Sequence, residues 1–116
     1  MAQYRYVVYS PLTPLQVKIG ITNHLEDRIN SFRTTDYHAE YLGRKKFRSR
    51  KQVFADEAQL HRRFAHANNG TRGKEWFWIT PDVFLWLLFQ GYLFKLPFVL
   101  VLGVVKRILS FLGAFL

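Results

Sequence analysis

Two runs rich in β-branched and aromatic residues open the chain, Tyr4 to Ser10 and Gln16 to Ile21, and Pro11 with Pro14 bracket the link between them. This pattern predicts a β-hairpin. The second run ends around Gly20, Thr22 and Asn23, after which Leu25, Ile29 and Phe32 recur at helical spacing. Asn23 is expected to cap a helix reaching Phe32 or Arg33, with Glu26 three residues later as in a capping box. Thr34-Thr35-Asp36 breaks that helix, and His38 to Phe47 is predicted to form a third strand.

Ser49 can cap a second helix, from Arg50 to about His66. Its inward seam is Val53, Glu57, Leu60 and Phe64, spaced four, three and four apart, so a carboxylate stands among apolar residues. An ionised Glu there lies at a wet edge, pairs with His61 or Arg50, or meets a metal. After the turn residues Asn68 to Gly73 comes the aromatic segment Glu75-Trp76-Phe77-Trp78-Ile79, expected to close the core, although Trp76 and Trp78 could instead stack on bases. Thr80-Pro81-Asp82 signals a further helix start. From Val83 to Leu116 the chain is almost entirely apolar.

Composition narrows the partners. The 116 residues are one domain's worth of chain, and 17 lysines and arginines against 8 acids give a net charge of +9 and a pI near 10.2. Such a balance favours nucleic acid or an anionic membrane surface. Arg44, Lys45, Lys46, Arg48, Arg50 and Lys51 place six cations in eight positions, either a solvated loop or a phosphate-binding patch. The absence of cysteine excludes disulfides and thiolate metal sites, and four scattered histidines give no transition-metal signature. A hard cation on a lone carboxylate with water and phosphate remains compatible. Met1 to Arg5 lacks the features of a secretory signal, and a cytoplasmic setting, with membrane association through the tail, is expected.

In order along the chain, these segments resemble the GIY-YIG nuclease superfamily, in its phage-type branch whose second signature reads Lys-Ile-Gly. Tyr4-Arg5-Tyr6-Val7-Val8 stands at the first signature and Lys18-Ile19-Gly20 at the second, with eleven residues between Tyr6 and Lys18. Arg28 matches the family arginine, Glu57 to Phe64 the helix with the metal-binding glutamate, and Glu75-Trp76-Phe77 the closing motif. Lys18 stands where the usual pattern has a second tyrosine, and Arg5 stands at an apolar position. Asn68 and Asn69 lie near the place of a late family asparagine.

The resemblance implies an α+β fold: a small three-stranded antiparallel sheet flanked by helices, spanning residues 1–93, with an added apolar C-terminal helix at 94–116. It implies a magnesium-dependent endonuclease, with manganese an equivalent hard cation, acting on DNA ahead of RNA. Tyr6 would orient or deprotonate water, and Lys18 would activate Tyr6 electrostatically. Arg28 would bind phosphate, His61 would relay a proton or position Glu57, and Glu57 would hold the metal. The alternative is a non-catalytic nucleic-acid-binding module tethered to a membrane. For the tail, Val83 to Val105 is long enough to span but carries Lys95 and Pro97, whereas a helix from Pro97 to Leu116 would have a small and polar stripe of Gly103, Lys106, Arg107, Ser110 and Ala114. That stripe, with Gly113, could also join two copies.

Overall fold

A computed structural model describes residues 3–36, 38–70, 72–73 and 75–115. Met1, Ala2, Thr71 of the expected turn and Leu116 of the expected helix lie outside them. The strands are β1 (Gln3–Tyr9), β2 (Gln16–Thr22), β3 (Glu40–Phe47) and β4 (Trp76–Trp78), and the helices are α1 (Leu25–Arg33), α2 (Arg50–Arg63), α3 (Pro81–Phe89) and α4 (Leu96–Phe115). Short 3₁₀ turns at Ala65–Ala67 and Tyr92–Lys95 follow α2 and α3.

The α+β class expected from the sequence is observed, but the sheet has four antiparallel strands, in the order β3-β1-β2-β4, and not three. The fourth is the aromatic segment. Its three residues pair with the outer edge of β2, Gln16 with Trp78, Val17 with Phe77 and Lys18 with Trp76, and so satisfy backbone groups that would otherwise be left on that edge. A three-residue strand is too short to show an alternation in sequence. The third strand begins at Glu40, two residues later than predicted.

β1 lies inside the sheet, and both of its faces are covered. Tyr6 and Val8 pack with Ile29 and Ala39 beneath α1, whereas Val7 and Tyr9 join Val17, Ile19, Leu42, Leu60, Phe64, Phe77 and Leu87 beneath α2 and α3. Arg5 falls on the second face and is 3% exposed. Its guanidinium donates to Asp56 Oδ2 at 2.7 Å and to the Tyr92 hydroxyl at 3.0 Å, and it stacks 5.2 Å from the Trp86 ring centre. A buried cation needs such a set of partners, and this is how a charged residue occupies an apolar signature position.

The helix signals hold with small shifts. Ser49 Oγ accepts the Gln52 N–H at 3.2 Å, the cap expected for α2, which ends at Arg63 before the 3₁₀ turn. At α1 the residue before the helix is His24, not Asn23, and Thr22 Oγ1 accepts the His24 N–H at 3.1 Å. Pro81 begins α3 as expected. The apolar stretch then breaks at Gly91, whose φ of +76° is a left-handed conformation natural to glycine. A continuous helix from Val83 to Val105 is therefore not formed, and no helix among the described residues is long and apolar enough to cross a membrane.

Gly43 of β3 sits directly under the Tyr92 ring, so an added Cβ would collide with ring carbons. Gly43→Ala should displace Tyr92 from Arg5 and lower stability by about 1–3 kcal/mol, whereas Gly70→Ala, which meets nothing within 4 Å, should change it by less than about 0.5 kcal/mol. Urea denaturation midpoints compare the two.

Candidate active site

The site is built around a missing side chain. Gly20 of β2 pairs with Tyr6 of β1, and a Cβ on Gly20 would run into the end of the tyrosine ring and its hydroxyl. Glycine therefore lets the phenol lie across β2. Phe32 of α1 and Tyr41 of β3 flank the phenol with ring centres 5.8 and 5.7 Å away. Arg28, on the second turn of α1, donates from Nε to the Tyr6 oxygen at 3.3 Å. Burial pushes the Tyr6 phenol up to about 12, against the lowering effect of Arg28. At neutral pH Tyr6 is a proton donor held in a fixed direction.

Lys18 projects beside this pair. Its Nζ lies 4.5 Å from the Phe32 ring centre and 5.8 Å from that of Trp76, and it forms an ion pair of 3.4 Å with Glu75 Oε2. Burial lowers the Lys18 pKa, and Glu75 opposes that shift. The electrostatic help to Tyr6 expected from Lys18 thus comes from Arg28, the group in hydrogen-bonding contact. The same Glu75 oxygen lies 3.1 Å from the Cβ position of Gly20, and its charge acts on Tyr6, Lys18, Arg28 and Glu57 alike. Glu75 is the site residue missed in the sequence. It was visible as the acid opening an aromatic run, but the aromatics made that run read as core.

Glu57 and His61 come from α2, whose Leu60 and Phe64 pack on the second face of the sheet. α2 thus lies on the face of the sheet opposite α1, and among the described residues no hydrogen bond or ion pair joins Glu57 or His61 to Tyr6, Lys18 or Arg28; Glu57 shares with them the charge of Glu75, and His61 meets the backbone of β2. His61 Nε2 is 3.1 Å from the Ile19 carbonyl, an assignment that makes Nε2 the donor, and its ring lies 5.2 Å from that of Phe77. Glu57 Oε2 is buried without a hydrogen-bond partner. Burial raises the Glu57 pKa, His61 opposes this, and the nearby charges of Glu75 and Asp56 add to it.

Residues 3–88 match the model of the T5orf172 domain. The chain belongs to that family. The match covers the whole sheet and α1 to α3 through Leu88, and leaves α4 outside. No curated protein and no solved structure matches the chain. The T5orf172 domain fits a nuclease superfamily, which supports a nuclease-like, nucleic-acid-binding function.

In this T5orf172 domain the six clustered cations are all exposed. Arg44 stands opposite Tyr6 in the β1–β3 ladder, and with Tyr41, Arg33 and Lys95 it lines an open cleft of about 420 Å³ beside α1. Arg50 and Lys51 occupy the first turn of α2, which carries no acid, although a helix N-terminus disfavours cations. That arrangement is unfavourable in the isolated chain and is relieved by an anion. Trp76, in contrast, is held by Arg72 at 3.4 Å over its ring, and Arg72 is in turn fixed to Thr13 and Gln16. Trp78 is 44% exposed, so the aromatic segment is divided between an inward Phe77 and two outer tryptophans.

Among the described residues, no group of three or more His, Cys, Asp or Glu side chains could hold a metal. The unpartnered Glu57 oxygen, with Glu75 in its field, does fit one hard cation completed by water and phosphate.

The Tyr6 environment has a measurable sign. Below pH 10 the phenol is protonated whether the chain is folded or unfolded; between pH 10 and about 12 the unfolded chain releases a proton that folded Tyr6 keeps. The stabilising contribution is thus full below pH 10 and is lost as pH rises to about 12, by about 2–3 kcal/mol for a shift of that size. Urea titrations across this range should give Tyr6→Phe a shallower loss of stability than wild type.

Proposed function

We propose that this chain is a metal-dependent endonuclease of the GIY-YIG type, hydrolysing phosphodiester bonds of nucleic acid, with DNA as the preferred class. Residues 1–93 form the nuclease domain, and residues 94–116, which include α4, are appended to it. The observation that supports the reading best is the meeting of Tyr6, Lys18, Arg28 and Glu75 around Gly20, which brings a phenol, two cations and a carboxylate into one connected group.

The roles follow from the contacts. Arg28 uses Nε to hold Tyr6, which leaves its terminal nitrogens to fork around a non-bridging phosphate oxygen. Tyr6, protonated and aimed by Arg28, orients the attacking water through its hydroxyl. Lys18, kept in place by two aromatic rings and Glu75, adds positive charge where the phosphate gains negative charge. Glu57 would hold the divalent cation, magnesium or manganese, whose chemistry is to neutralise the scissile phosphate and the leaving oxygen. His61, tied to the Ile19 carbonyl, fixes the spacing of α2 from β2 and so positions Glu57. The Arg44 to Lys51 cations lead the backbone of a longer substrate toward this point.

A non-catalytic nucleic-acid-binding module is the second reading, supported by the high pKa of Tyr6, which disfavours the phenolate as a base. Cleavage of plasmid and single-stranded substrates with magnesium or manganese separates the two. Wild type should cut, and Glu57→Ala and Arg28→Ala should each lose roughly 100-fold or more. If wild type leaves every substrate intact and still retards DNA in a gel, the binding module is the correct reading.

Binding itself should be strongly salt-dependent. If the six cations of Arg44 to Lys51 all meet duplex phosphates, the logarithm of the affinity should fall against the logarithm of salt with a slope of about −5. The double change Lys45→Ala and Lys46→Ala should reduce that slope by about 2. Fluorescence anisotropy with a labelled duplex measures both.

A further inference from the structure

The tail presents its apolar side away from the domain, the reverse of a helix packed for a soluble core. Lys106 of α4 reaches back to Glu40 Oε1 of β3 at 3.5 Å, and Leu96 packs against the main core, so this edge of α4 faces inward. At 100° per residue, Val101, Val104, Val105, Ile108, Leu109 and Leu112 occupy one arc of about 140°. Ser110 lies on the opposite side, and Lys106 and Arg107 border the arc, about 60° from Leu109 and from Val104 respectively. All six apolar residues are exposed, by 42 to 62%. Phe89 and Phe94, at the junction between α3 and α4, are 82% and 84% exposed. Exposed apolar side chains gathered on one face of a helix mark a place where something else binds.

We propose that the outer face of α4 lies in the surface of an anionic lipid bilayer, parallel to the membrane plane. Charge selects this occupant over a second copy of the chain. After Asp82 there is no acidic residue, while Lys95, Lys106 and Arg107 remain, and the chain as a whole carries +9. Two copies meeting through this face would bring together two chains of net charge +9, with no acid after Asp82 to set against the partner's cations. Anionic headgroups supply the missing negative charge: Arg107, exposed beside the apolar arc, can extend to a lipid phosphate while its neighbours enter the acyl region. The matched T5orf172 region ends before α4, so the tail is an addition to the matched domain. Gly103 and Ala114 of the expected polar stripe lie outside the described side chains.

The test is flotation of the full chain with phosphatidylglycerol/phosphatidylcholine vesicles, with pure phosphatidylcholine vesicles, and with no vesicles. It is repeated for the double variant Ile108→Asp and Leu112→Asp, two exposed positions whose change leaves the core intact, as far-UV circular dichroism would check. Wild type should float with the anionic vesicles, and the variant should lose roughly tenfold or more of that binding. Equal flotation of both proteins overturns the proposal, as does binding that is no stronger to anionic than to neutral vesicles. A wild type that stays down in every arm and sediments as a dimer, where the variant is a monomer, assigns the face to a second copy instead. None of these outcomes depends on whether the chain cleaves nucleic acid.

Discussion

The close approach of Tyr6 to Gly20 is the contact on which the rest of the site depends. It places a phenol where residue 20 would otherwise have its Cβ, and this brings the hydroxyl within reach of Arg28 on α1. It also brings the carboxylate of Glu75 beside the same gap. Three elements far apart in sequence, β1, α1 and the start of β4, therefore meet over one backbone position of β2. A methyl group there would separate them. The glycine of the second signature is thus explained by space, with no appeal to unusual backbone conformation.

β1 makes this possible because it is covered on both faces. Strict alternation sends Tyr6 and Val8 toward α1 and sends Arg5, Val7 and Tyr9 toward α2 and α3. Burying an arginine in the second layer is unfavourable in itself, but Asp56, Tyr92 and Trp86 surround it. The same clamp joins the turn after α3 to the central strand. What looked like a departure from the signature is therefore a fastening between the first strand and the end of the matched domain.

Much of this was legible in the chain. The hairpin, α1, α2 with its Ser49 cap, and the Pro81 start of α3 all rest on local chemistry, which sequence carries well. Tyr6, Lys18 and Arg28 were grouped through the family resemblance, and the hairpin and α1 are what bring Tyr6 and Arg28 into contact. β4 could not be read, since three aromatic residues fit a strand edge or a core equally well. Glu75 was hidden for a related reason: its importance comes from which strand edge it reaches, a tertiary fact. The face presented by Glu57 depends on where α2 crosses the sheet, and the seam of Val53, Leu60 and Phe64 fixes that only once the sheet is known.

Three features of the fold are uncompensated. A buried carboxylate oxygen on Glu57 has no partner, Tyr6 is desolvated, and cations crowd the N-terminus of α2 where the helix dipole opposes them. Elsewhere Arg72 is held by several partners, and Arg5 is clamped through its terminal nitrogens, although its Nε is also buried without a hydrogen-bond partner. A chain selected for stability alone would have replaced Glu57 by an apolar residue of similar size and moved acids into the first turn of α2. Two of these terms have the sign that a divalent cation and a phosphate diester would reverse: metal charge for the lone carboxylate, and phosphate charge for the cations. Unfavourable terms that one class of ligand would correct are what the proposed substrate site would account for.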